Sequence, residues 1–139
     1  MIPKREAVMQ ALQDRLDAVR IVALFEPDPR DLPVTLISDT GETAETNEYG
    51  WVTATISFTV VRFEMMTVAD ALWHTEANET LATMQQTLFT DETLGGLALD
   101  MQYTGNVINF SSETRIAEIQ VSASLRYQYE LGNPFIDEE

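Results

Sequence analysis

Cysteine is absent from this 139-residue chain, which removes disulfides, thiol nucleophiles, iron–sulfur clusters and Cys-type zinc sites together. Histidine occurs once, at His74, so a Ser-His-Asp hydrolase would hang on that one side chain and a His-rich metal site is excluded. Positive charge is equally scarce. One Lys and seven Arg stand against 23 carboxylates, for a net charge of -15. No basic stripe is left to hold phosphates, so tight nucleic-acid binding by this chain alone is not expected. Long apolar runs are missing too: the longest, such as Ile21 to Phe25, are far too short to span a bilayer. Lys4 and Arg5 have no apolar stretch behind them, so no signal peptide is expected. These features predict a soluble chain made in a cytoplasm.

What is present fits one domain over 1–139. Apolar residues are 45% of the chain and charged residues 22%, an ordinary globular balance. A compact chain of this length has a radius of gyration of roughly 14 Å and buries a core without staples.

Periodicity orders the elements. Val8, Ala11, Leu12, Leu16 and Val19 recur at helical spacing, with Lys4, Arg5, Gln13, Asp14 and Asp17 opposite, which predicts a helix over Pro3–Arg20. Ile21–Phe25, ended by Pro27 and Pro29, reads as a short strand, and Pro33–Ser38 as a second. Trp51–Phe63 is the clearest strand: Val52, Ala54, Ile56, Phe58 and Val60 point one way, Thr53, Thr55, Ser57 and Thr59 the other. The period turns helical from Thr67 to Leu88, with Thr67 and Asp70 in capping-box spacing. Val68, Ala71, Leu72, Thr75, Leu81, Met84 and Leu88 trace its apolar side. A turn at Leu94-Gly95-Gly96-Leu97 leads to a strand through Leu97, Leu99, Met101 and Tyr103, then an outer loop to Ser112. In the last strand Ala117, Ile119, Val121, Ala123, Leu125, Tyr127 and Tyr129 share a face, and an acidic tail follows at 136–139. The fold class implied is α+β: a mixed, mostly antiparallel sheet of about five strands with two helices packed on one face. Leu12, Leu16, Ile56, Phe58, Leu88, Ile119, Val121 and Leu125 are the expected core.

Candidate chemistry is thin. His74 has Asp70 and Glu76 about one helical turn away, but a metal needs three or four ligands. Asp91-Glu92 has acid–base potential, yet acids at the start of a helical turn explain it better. Leu94-Gly95-Gly96-Leu97 lacks the Gly-Lys-Ser/Thr ending of a phosphate loop. Asn78-Glu79-Thr80 and Asn109-Phe110-Ser111 match a glycosylation pattern that an unsecreted chain never uses. No catalytic, cofactor or metal residue is assigned. The segment from Asp39 to Gly50 reads as an exposed, mobile acidic loop, either a plain hairpin connection or a functional element. Glu42, Glu45 and Glu48 within it, with Tyr49 and Trp51 at its end, are the interface candidates. Removing Glu42–Glu48 is expected to leave the fold intact.

Four features occur in a particular order: the amphipathic helix at Glu6–Val19, the Leu32-Pro33-Val34 lead-in to an early strand, the Thr93-Leu94-Gly95-Gly96-Leu97 turn after a long helix, and a final strand ending Tyr127-Gln128-Tyr129, then Gly132-Asn133-Pro134-Phe135. In this order the chain resembles the tail terminator (tail completion, minor tail protein U-like) proteins of long-tailed bacteriophages, over nearly its whole length. The resemblance implies a homo-oligomeric ring, usually of six subunits, at the head-proximal end of the tail, assembled in the host cytoplasm. Such a ring caps the last ring of tail tube protein, stops tube growth and offers its other surface to a head-closure or neck protein. It implies no catalysis, no cofactor and no membrane partner. DNA would pass through the lumen without specific binding, past an acidic wall that repels phosphates. Two other readings stay open at this point: another neck component (head-closure or connector adaptor), and a small ligand-binding or enzymatic α+β domain.

Overall fold

Alternation of apolar and hydroxyl side chains at 51–65 drives one long strand, and a second run of the same kind at 116–130 pairs with it along its whole length. The computed structural model describes residues 2–20, 32–67 and 72–136. Its elements are β1 (Ile2–Pro3), α1 (Lys4–Leu16), β2 (Val19–Arg20), β3 (Val34–Thr46), β4 (Trp51–Met65), α2 (Trp73–Leu88), β5 (Asp100–Phe110), β6 (Ile116–Glu130) and β7 (Phe135–Ile136). The main sheet runs β2-β3-β4-β6-β5. Only β2, parallel to β3, breaks the antiparallel pattern among these five. The expected α+β class and mixed five-stranded sheet are therefore observed. β1 and β7 form a separate small ribbon that joins the two ends of the described chain.

One sheet face carries the core. Val52, Ala54, Ile56, Phe58 and Val60 of β4 and Ala117, Ile119, Val121, Ala123, Leu125 and Tyr127 of β6 are buried. Val8, Met9 and Leu12 of α1 and Ala77, Met84 and Leu88 of α2 join them in one cluster, so both helices lie on this face. Every residue of the expected core is buried except Leu16, which is half-buried at its margin. The chain leaves β4, crosses the sheet through α2, enters at the outer strand β5 and returns through β6 between β5 and β4.

Several boundaries differ from the sequence reading, each for a local reason. The first helix stops at Leu16 because Asp17 turns left-handed (φ 51°), and the Ala18 N–H closes back on the Gln13 carbonyl at 2.9 Å. Val19 and Arg20 are strand, with Val19 exposed, and not the last helical turn. The strand expected at Ile21–Phe25 lies outside the described residues, as do Val68, Asp70, Ala71 and the end of the acidic tail. Thr67 bonds elsewhere than its expected cap: its N–H and hydroxyl both donate to the Glu76 carboxylate. The apolar side of α2 is as expected at Leu81, Met84 and Leu88 but differs in the first turn: Leu72 and Thr75 are exposed, while Ala77 is buried and Trp73 stacks on Phe110 at 4.4 Å. Strand β5 continues through the stretch expected to be an outer loop, after a bulge between Tyr103 and Gly105.

The largest correction concerns 39–50. They are largely exposed as expected, but 39–46 are strand and only 47–50 form a connecting turn. β3 runs on to Thr46, paired with β4 down to Thr46↔Val52, with a bulge between Asp39 and Gly41. Alternation fails to reveal it because the residues of this arm are exposed on both faces, so neither phase needs to be apolar.

Candidate assembly surface at the hairpin end

Asn47 builds the turn that closes the β3–β4 hairpin. Its side-chain oxygen accepts the N–H groups of Tyr49 (2.9 Å) and Trp51 (3.0 Å), and its own N–H donates to the Trp51 carbonyl at 2.9 Å. Gly50, at φ 81°, supplies the left-handed step that brings the chain into β4. The Gly50 carbonyl then accepts the Leu131 N–H at 2.9 Å, which ties the turn to the end of β6. The hairpin end is held by its own bonds.

The five candidate residues divide. Glu42 sits on the core side of the sheet, opposite Ile56, and is an internal anchor: the Tyr127 hydroxyl donates to it at 2.6 Å and Arg5 of α1 approaches at 3.4 Å. Arg5 also pairs with Asp39 at 3.1 Å. Burial pushes the Tyr127 phenol well above its ordinary pKa, and the bond and charge of Glu42 add to it. Burial alone would lower the Arg5 pKa, but its hydrogen bond and charge pairing with Asp39, aided by Glu42, hold it above its ordinary value. Glu45, Glu48, Tyr49 and Trp51 are exposed around the hairpin end. The structure thus brings four of the candidates together at the hairpin end, while Glu42, also exposed, lies further along the arm and is engaged by Tyr127 and Arg5. It also adds two that the sequence reading missed, Leu131 and Phe135, which are exposed beside the turn. Their signal was two large apolar residues flanking the Gly132-Asn133-Pro134 turn, where nothing demands them.

The sheet face away from the helices has a different character. Thr53, Thr55, Ser57 and Thr59 of β4 meet Gln128, Arg126, Ser124 and Ser122 of β6 across it. The Thr59 and Ser122 hydroxyls share a bond of 3.3 Å, and Gln128 donates to Thr53 at 3.5 Å. Arg126 is matched on this face by Asp100, its Nε donating at 2.9 Å. Among the described elements no helix lies on this face. Only near Leu36, Phe63 and Ile116 does it become apolar and buried.

Other candidates resolve into structure. Asp91 caps the turn after α2: it accepts the Thr93 N–H (3.0 Å), the Thr93 hydroxyl (2.7 Å) and the Gly95 N–H (2.8 Å). The Thr93 hydroxyl bond, then the backbone bonds from Gly95 and Thr93, lower the Asp91 pKa from 3.8 to about 2. Leu94, Gly95 and Gly96 follow in left-handed geometry, the non-glycine Leu94 held there by its burial. His74 is exposed and meets Trp73 edge-on at 5.8 Å. Among the described residues no group of three or more His, Asp or Glu is placed to hold a metal. An open cavity of about 440 Å³ lies between α2 and the sheet, lined in part by Glu64, Glu76, Glu79 and Arg62. Arg62 is engaged there by Glu64 at 3.0 Å and by the Thr35 hydroxyl at 2.9 Å.

No protein-family model matches the chain, and no curated protein matches it. Among solved structures it is similar to a chain in the virion of a native gene transfer agent (GTA) particle, with a TM-score of 0.40 and 10% identity over 91% of this chain and 92% of that one.

Proposed function

We propose that this chain is a structural virion protein that assembles as a ring on the end of a phage tail tube, stops tube growth and offers the surface to which the head or neck joins. It works by contact, without catalysis or cofactor. The observation that carries the reading is the helix-free sheet face: hydroxyl and amide side chains with one internally matched ion pair at its centre, and Glu45, Glu118 and Glu130 only towards its ends, on a chain of net charge -15. Like-charged copies repel over most of their surface, so the centre of this face, where charge is absent or matched, is where they can meet. The order of sequence features described above supports the same assignment, and an acidic lumen suits the passage of DNA that must not be gripped.

Electron microscopy of the purified protein added to tail tubes that lack it tests this. Rings at one end of each tube, with growth halted, are the expected result. Tubes that stay bare and continue to lengthen would overturn the reading.

A further inference from the structure

Large apolar side chains left in water at one end of an otherwise polar surface mark a place of contact. At the hairpin end Tyr49 is 80% exposed, Leu131 61%, Phe135 40% and Trp51 39%. They come from three segments that backbone bonds make neighbours. Trp51 pairs with Glu130, the Leu131 N–H donates to Gly50, and Phe135 pairs with Pro3 just before the start of α1. Trp51 and Phe135 line one depression of about 220 Å³. Around this patch stand Glu45, Glu48 and Glu130, all exposed and without an ion-pair partner among the described residues. The cation that lines the depression, Lys4, is turned inward, its Nζ donating to the Gln128 carbonyl at 2.6 Å.

We propose that this patch docks a different protein, one whose surface offers an apolar hollow ringed by Lys and Arg, and not a second copy of this chain. An apolar centre with an acidic rim is complementary to such a surface and repels its own kind. Among its described residues a second copy has little to answer the rim with. Arg5, Arg15, Arg20, Arg62 and Arg126 are already paired with acids of their own chain, and Lys4 with a backbone carbonyl. Copies are left the hydroxyl-lined centre of the helix-free sheet face, and the hairpin end is left for the partner. This rests on the virion reading: the partner is the component that the ring meets at the tail joint.

The experiment uses purified tail tubes and, separately, purified DNA-filled heads of the virion that carries this chain, and measures co-sedimentation of the full chain with each. Two variants remove the apolar centre, Tyr49→Ser with Leu131→Ser, and Phe135→Ser alone. A third, Glu45→Gln with Glu48→Gln and Glu130→Gln, removes the rim charge. The parent should bind tubes or heads. The first variant should bind at least about tenfold more weakly, as expected for loss of buried anchors. The rim variant should lose binding at low salt and show a flatter salt dependence. All three should keep the parent's melting temperature and its self-association in sedimentation velocity. Variants that bind like the parent would overturn the inference while leaving the virion reading in place. Loss of self-association in the first variant would overturn it too, since the patch would then join copies. A parent that binds neither tubes nor heads would overturn the virion reading and this proposal with it.

Discussion

Phe58 stands at the centre of β4, 1% exposed, between the two helices and the flanking strands. Its ring fills space that no neighbour can close over, so Phe58→Ala should destabilise the fold by about 3–5 kcal/mol. Urea unfolding of the two proteins measures this, and an unchanged midpoint would mean that β4 does not present that face to the helices. Asp91 illustrates a polar residue whose role is conformational. Its carboxylate gathers three donors and so keeps a left-handed run of Leu94, Gly95 and Gly96 in register between α2 and β5. The same bonds lower its pKa to about 2. The sign of the pH effect follows: a carboxylate held below its unfolded value adds stability above about pH 4, which is lost as pH falls towards about 2. Asp91→Ala should thus be less stable than the parent at neutral pH, with the gap closing as pH falls through that window. A gap that is constant with pH would show that the bonds matter only for shape.

The β3–β4 hairpin is the element on which sequence and structure part most clearly. Residues 42–46 pair with 52–56, and Glu42 is held by Tyr127 and Arg5. Removing Glu42–Glu48, harmless if this were a loop, instead strips the outer partner from β4 and leaves the Tyr127 hydroxyl without its acceptor. The deletion should lower the melting temperature, and Tyr127→Phe alone should cost about 1 kcal/mol, the usual net value of one such bond. A deletion variant that melts like the parent would show that the arm adds nothing to the fold. Why the arm was hidden is physical. β4 and β6 were legible because one phase is buried and the other is wet, which imprints a period of two. Beyond the bulge at Asp39–Gly41 the β3 arm is exposed on both faces, so its composition is that of a loop and only pairing makes it a strand. β5 past Tyr103 is hidden for a different reason: the second bulge interrupts its alternation, and Ile108 and Phe110 are only partly buried against the core. The edge strand β5 and the arm of β3 that runs beyond the two-residue β2 thus each carry a bulge, a device that blunts an open edge against indiscriminate pairing. At the candidate surface, Tyr49 and Trp51 were legible as aromatics beside a turn. Leu131 and Phe135 were not, because only the tertiary pairing of β6 with the Gly50 turn brings them there.

At the scale of the whole molecule, charge separates two kinds of contact. The chain carries -15, so every approach of two copies meets a repulsive background, while the centre of the face proposed to join them holds hydroxyls, amides and a matched ion pair. The patch at the hairpin end has the opposite design, an apolar centre inside unpaired acids. Screening acts on these with opposite sign. The Debye length falls from about 10 Å at 0.1 M salt to about 3 Å at 1 M. Between those limits the repulsion between copies fades while the uncharged contacts persist, so self-association should strengthen as salt is added. Docking through the acidic rim draws on attraction to a basic partner and should weaken over the same range. Sedimentation velocity of the protein alone and co-sedimentation with the tail partner proposed above, run across one salt series, read both trends. Self-association that weakens with salt would mean that ion pairs, and not the hydroxyl-lined centre of the sheet face, hold the copies together. Docking that is indifferent to salt would mean that Glu45, Glu48 and Glu130 face water in the assembled particle.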